Sequence, residues 1–176
     1  MMNAVDLSKE IVMFLNVQKG FYDENTKKYF YKIEELLLNT QLENVLATKF
    51  VVLPNLPQYG SYKAKTIEEQ KLPKWFAPYL RAVTFKFGYN CADSLLVRQL
   101  QAMNNGETPK KVYLAGFNTE SFILMTAMGM ADIGIQPVIL EDYCFSQKGE
   151  VVHNAAITIL KSLYGDEGVV SIELFK

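Results

Sequence analysis

Six apolar runs divide the chain, and between most of them the hydrophobic positions recur every three or four residues. The stretch 112–142 shows the pattern in full, as strand, turn, helix and strand. Residues 112–115 are a short β-branched and aromatic run, and Gly116 breaks it before the polar turn Asn118-Thr119-Glu120. Phe122, Met125, Thr126, Gly129 and Met130 then fall at helical spacing, which predicts a helix reaching Asp132 and stopped by Gly134. Residues 137–140 form a second run that ends on two carboxylates, Glu141 and Asp142. The separation of the two runs suits one parallel crossover. Its right hand puts the 116–120 turn at the carboxyl edge of a sheet, where open α/β folds keep their sites.

The rest of the chain repeats this alternation. Residues 10–16 are apolar up to a polar end, the pattern of a strand covered on both faces and therefore central. After a loop at 17–25, Thr26 is placed to cap a helix whose stripe is Tyr29, Phe30, Ile33, Leu36 and Leu37. A second strand at 45–53 ends at Pro54. Residues 54–78 hold four of the six prolines, Gly60 and a charged patch at 63–71, and read as an irregular excursion that Trp75 and Phe76 tuck back down. Ala82–Lys86 is a third strand; Asn90 can cap the next helix with Asp93 as partner, and its stripe is Leu95, Leu96, Gln99 and Leu100. Beyond Asp142 come a helix at 151–163, broken by Gly165, and a last strand at 169–174 that can pair in either direction. This order predicts a single domain over 1–176 of three-layer α/β/α class, with a Rossmann-like, mainly parallel, six-stranded sheet.

Composition narrows the function classes. The chain is 176 residues long and 49% hydrophobic, enough for one domain with a substantial core. Eighteen basic side chains nearly balance 19 acidic ones, and no Lys/Arg stripe appears, so neither nucleic acid nor an anionic membrane is an expected partner. There is no positively charged region ahead of an apolar core at the N-terminus and no apolar run of membrane-spanning length, which leads us to expect a cytoplasmic protein. Cys91 and Cys144 are too few and too far apart for a disulfide framework or a thiolate metal site, and read as buried free thiols. With His153 the single histidine, a site built on two or three imidazoles is excluded; no metal and no cofactor is expected.

Four places fall at strand ends: Asn16, Lys86, the 116–122 turn and Asp142. Lys86 is the sharpest, because a lysine closing an apolar strand must snorkel to water or find a partner. At these ends stand N-V-Q-K-G-F (16–21), K-F-G-Y-N (86–90) and A-G-F-N-T-E-S-F-I (115–123). They resemble the three blocks of the isochorismatase-like cysteine hydrolase family, D-x-Q-x-x-F, K-x-x-x-S and G-x-x-T-[DE]-x-C-[VI]. Gln18, Phe21, Lys86, Gly116, Thr119, Glu120 and Ile123 match in place. Asp142 is similar to the acidic residue that ends the family's fifth strand, and His153 falls at a structural histidine of the following helix.

The resemblance implies a triad of Asp, Lys and Cys at the carboxyl edge of the sheet. In it the cysteine is the nucleophile at a helix N-terminus, the aspartate moves the proton, and the lysine supports the aspartate's charge. It also implies small amides, N-carbamoyl compounds or the vinyl ether of isochorismate as substrates, and a cis peptide at Phe117–Asn118. Two of the three catalytic positions depart from the pattern: Asn16 stands for the aspartate and Phe122 for the cysteine. An amide neither accepts nor gives a proton near neutral pH, and a phenyl ring has no nucleophilic atom. The expectation is therefore a protein without cysteine-hydrolase activity that binds a small anion or a partner. Lys86, Asn16 and the turn residues Phe117, Asn118 and Thr119 would contribute to the binding site. The alternative is a C–N hydrolase with a relocated nucleophile, Cys144, Cys91 or Ser121. Residues 54–78 lack the histidines and aspartates that hold a metal in many members, which speaks against nicotinamidase-like metal use. A homodimer or larger homo-oligomer is expected from the family's habit.

Overall fold

A computed structural model of the chain describes residues 6–62 and 64–172, so Lys63 of the charged patch and the end of the strand expected at 169–174 lie outside the described residues. The strands are β1 (Ile11–Leu15), β2 (Asn44–Phe50), β3 (Ala82–Lys86), β4 (Lys111–Phe117), β5 (Gln136–Phe145) and β6 (Val169–Val170). Among the described residues they form one sheet in the order β3-β2-β1-β4-β5-β6, and every pairing is parallel, that of β6 included. All five residues of β1 are buried, as its unbroken apolar run requires of a strand with a neighbour on each side and cover on both faces.

Four helices connect the strands: α1 (Lys27–Asn39), α2 (Ser94–Met103), α3 (Leu124–Asp132) and α4 (Glu150–Gly168). The β1–α1–β2 crossover runs toward one edge and the crossovers through α2, α3 and α4 run toward the other. Right-handedness therefore puts α1 on one face and the remaining helices on the opposite one. The irregular 54–78 segment shares the α1 face, where buried Phe76 meets Phe14 of β1 edge-on at 5.5 Å. Phe30, Ile33, Leu36 and Leu37 of α1 are buried as the stripe predicts.

Several local expectations are corrected. Thr26 does not cap α1 with its side chain, because its hydroxyl donates to the Phe21 carbonyl (2.8 Å) and accepts from the Asp23 amide (2.8 Å), closing the loop before the helix. Asn90 spends its side-chain carbonyl on the Ala92 amide, so α2 starts later and Asp93 is its cap, accepting from the Leu96 amide at 2.9 Å. Leu95 and Met125, counted in the helical stripes, are exposed. Gly116 does not end β4, which runs on to Phe117, and the Phe117–Asn118 peptide is cis as the third block implies. The turn after it is a wide π-helical turn, Thr119–Ile123, before α3 begins.

Asp142 does not end a strand either. A step of two residues on β4 (Leu114 to Gly116) is matched by five on β5 (Ile139 to Cys144), so β5 bulges and Glu141 and Asp142 lie in the part that escapes the ladder. There Glu141 pairs with Lys161 of α4 at 2.7 Å, and Asp142 accepts from the Ser171 hydroxyl and the Ile172 amide. Carboxylates inside a strand are tolerated because β6, the outer neighbour, is only two residues long.

The closest constraint sits where β1 meets β4. Gly116 has φ +112°, and a Cβ there would stand 2.2 Å from the Leu15 carbonyl oxygen and 2.8 Å from its nitrogen. Neither backbone can retreat without breaking the central ladder. Gly116→Ala should therefore destabilise the fold by on the order of 3 kcal/mol or more, read as a fall in the urea midpoint. Unchanged stability would mean that the two strands do not approach as described.

Candidate functional site

The three sequence blocks meet at the carboxyl edge of the sheet. Asn16 is the residue after β1, one step past the Leu15–Thr48 pair; Lys86 ends β3 opposite Phe50; and the 117–122 turn follows β4. Asn16 turns the chain with φ +56°, a left-handed conformation that asparagine tolerates better than most residues. It is fully buried and its polar atoms are engaged inside the protein. Its Nδ2 donates to the Phe117 carbonyl at 3.0 Å, its Oδ1 accepts from the Thr48 hydroxyl at 3.1 Å, and its own amide donates to the same hydroxyl. The Asn16 amide group thus ties β1 to β2 and β4. An aspartate there would set a carboxylate against the Phe117 carbonyl and lose that hydrogen bond.

Phe122, the residue expected at the third block's nucleophile position, has no exposed surface. Its ring lies among Phe21 (6.1 Å between centroids), Phe50 (4.6 Å), Tyr62 (5.1 Å) and Tyr89 (5.3 Å). Behind it sits Lys86, only 4% exposed, with its Nζ 4.2 Å from the centre of the Phe122 ring. Among the described residues this amine has no hydrogen-bond partner. Burial pushes its pKa down from 10.5 to about 8, with the nearby Cys91 acting weakly the other way. The ring face returns part of the lost hydration, on the order of 2 kcal/mol when a cation is desolvated, against a penalty of several for burying it.

The remaining turn residues also point into the protein. Asn118 accepts from the Gln147 amide at 3.0 Å, and Thr119 shares a 2.8 Å hydrogen bond with Nδ1 of His153. Burial holds that imidazole below its ordinary pKa, against the pull of Glu141, Glu120 and Glu150. Both carboxylate oxygens of Glu120 are buried without a partner among the described residues. Cys144 is buried and donates to the Leu114 carbonyl at 3.5 Å, and burial raises its pKa far above the usual thiol range. Cys91 is buried 3.4 Å from the Thr126 hydroxyl, and its thiol is likewise pushed up by burial. The Ser121 hydroxyl accepts from Tyr62 at 3.2 Å, and the single histidine, His153, is hydrogen-bonded to Thr119.

The sequence assigned no role at the site to several residues gathered there, Tyr62 and Gln18 among them. Tyr62 comes from the irregular segment, where no periodicity marks it, and closes the ring cluster over Phe122. Gln18 belongs to the first block and acts as a clasp: its Nε2 donates to the Phe50 and Gln70 carbonyls and its Oε1 accepts from the Phe50 amide at 2.7 Å. Asp142, expected at the site, instead borders a separate hollow of about 400 Å³ beside β5, with Lys32, Glu141 and His153. Among the described residues no group of three or more His, Cys, Asp or Glu side chains could hold a metal ion.

Comparison with known proteins gives a consistent picture at the level of architecture. No protein-family model and no curated protein sequence matches the chain. Among solved structures it is similar to an isochorismatase-like hydrolase from Alkaliphilus metalliredigens (TM-score 0.73, 13% identity), over 92% of this chain and 94% of that one. It is similar to a nicotinamidase from Bacillus subtilis (0.68, 15%), over 93% of this chain and 99% of that one. A pyrazinamidase from Pyrococcus horikoshii, solved in complex with zinc, matches over 95% of this chain and 99% of that one (0.67, 18%). With its parallel six-stranded sheet, its cis peptide and its three blocks at one sheet edge, the chain has the isochorismatase-like hydrolase fold.

Proposed function

We infer that this chain is an isochorismatase-family scaffold whose cysteine-hydrolase site is closed, a pseudoenzyme that works by binding rather than by turnover. The observation that carries the reading is the ring of Phe122, fully buried and covering Lys86, at the position that the resemblance of the third block gives to the nucleophile. Asn16 supports it, since an amide has no proton to move and this one is spent on the backbone. Of the three family positions, Lys86 alone has a charge to offer a small anion, and its unpartnered amine supports that role once the Phe122 ring turns aside. The burial of both thiols and the engagement of Ser121 speak against a relocated nucleophile, because a neutral, enclosed thiol is inert.

The unmodified protein should show no turnover of small amides, ureido acids or isochorismate. Asn16→Asp with Phe122→Cys, its folded state checked by circular dichroism, should show some. Removing the ring alone should cost about 3–5 kcal/mol of stability, so a stabilising buffer belongs in the assay. Turnover by the unmodified chain would sink the closed-site reading.

Lys86 supplies a test that does not depend on substrate. Its folded pKa of about 8 lies below the ordinary 10.5, so between these values the unfolded chain holds the extra proton and stability rises with pH; below pH 8 the penalty is present in full. Lys86→Met should stabilise the protein at pH 7 by on the order of 1–3 kcal/mol, with the gain shrinking toward pH 10. Urea melts at the two pH values measure it, and a loss of stability at pH 7 would show that the ammonium is fully compensated where it sits.

A further inference from the structure

A second hollow, of about 390 Å³, opens on the α1 face of the sheet near the β3 edge, and its walls carry Lys19, Lys49, Lys71 and Lys74 around an apolar floor of Val83 and Phe85. It is distinct from the closed site, because neighbouring residues of a strand point to opposite faces: Lys49 and Phe85 are paired across β2 and β3, and the next pair is Phe50 with Lys86. The lysines come from separate segments that the backbone stitches together. The Lys19 amide donates to the Lys71 carbonyl at 2.9 Å, the Gly20 amide to the Glu69 carbonyl at 2.8 Å, and Gln18 bridges Phe50 and Gln70 beside them. Lys19 and Lys71 share one carboxylate, Glu68, which they hold down at a pKa of about 2. Lys49 lies over the Phe85 ring at 5.0 Å, and Lys74 has no ion-pair partner among the described residues. Four lysines against that one carboxylate leave three positive charges (4 − 1) around the hollow.

Lys19 and Lys74 also form part of the wall of an adjoining hollow of about 470 Å³, lined by Tyr22, Tyr31, Trp75 and, at one side, Glu34. Tyr22 and Tyr31 are 44% and 59% exposed, so these rings present open faces rather than packed core. An aromatic hollow with one carboxylate thus adjoins a cationic hollow through a shared pair of lysines. Flat rings stack on such side chains whatever their sequence context, and ammonium groups bind phosphate as point charges. From this juxtaposition we propose that the α1 face is a binding site for a nucleoside polyphosphate. The base lies among Tyr22, Tyr31 and Trp75 with an exocyclic amine toward Glu34. The phosphates cross Lys19 and Lys74 to reach Lys49 and Lys71.

Trp75 is the single tryptophan of the chain and reports on the site directly. ATP should quench its fluorescence in a saturable way, with adenosine weaker by about tenfold or more and inorganic tripolyphosphate competing at an affinity between the two. Lys49→Ala with Lys74→Ala should weaken ATP about tenfold or more while leaving the melting temperature in place, since neither lysine forms an ion pair among the described residues. Glu34→Gln should narrow the preference for ATP over inosine triphosphate, whose base lacks the amine. Tripolyphosphate binding as tightly as ATP would reduce the site to a charged patch and overturn the proposal. So would unchanged affinity in the double lysine variant, or tighter binding of an acidic peptide or an oligonucleotide than of ATP.

Discussion

At the end of β1 the chain has no room for a side chain on its neighbour. Gly116 lies against the Leu15 carbonyl so closely that only a hydrogen fits, and both strands bend as they leave this point, Gly116 at φ +112° and Asn16 at φ +56°. This contact governs the geometry of the whole carboxyl edge. β4 runs on to deliver Phe117 to the Asn16 amide, β5 bulges to keep pace with it, and the wide turn at Thr119–Ile123 carries Phe122 back over Lys86. The strand pair sets the stage, and the side chains that stand on it decide the chemistry.

Those side chains settle a contest between burial and charge in favour of burial. Four rings gather around Phe122 at the sheet edge, each pair worth on the order of 1 kcal/mol beyond its buried area. The ammonium beneath them is the expense, softened by the ring it faces. On the opposite face, at the β3 edge, the balance is reversed, with lysines in water and aromatic rings left open. Two adjacent residue pairs on the same strands, Phe50 with Lys86 and Lys49 with Phe85, thus serve two unlike environments.

Much of this was legible in the sequence, for identifiable reasons. A strand buried on both faces cannot avoid an unbroken apolar run, so β1 and β4 stood out, and Gly134 and Gly165 marked their turns because both take positive φ. The three blocks pointed to one sheet edge because each lies within a few residues of a strand end, and the fold brings them together there. The hidden part depends on tertiary company. Glu141 and Asp142 looked like a strand end because the bulge that excuses them is a property of two strands together. Asn90 and Thr26 are a different case: their rival partners, the Ala92 amide two residues on and the Phe21 carbonyl five residues back, are as local as a cap's, and residue type alone does not choose between the two. The lysine cluster formed no stripe, being drawn from three separate stretches of the chain.

The hydrogen bond from Asn16 to Phe117 and the cluster around Phe122 also limit how the chain can change. Replacing Asn16 by a carboxylate breaks a buried bond, and shrinking Phe122 to a thiol empties a packed space. Each step alone lowers stability and supplies only one of the two groups that a cysteine-hydrolase triad would need beside Lys86. Under the closed-site reading the chain is held on its side of a valley, and selection can refine what the scaffold does more easily than it can open the site.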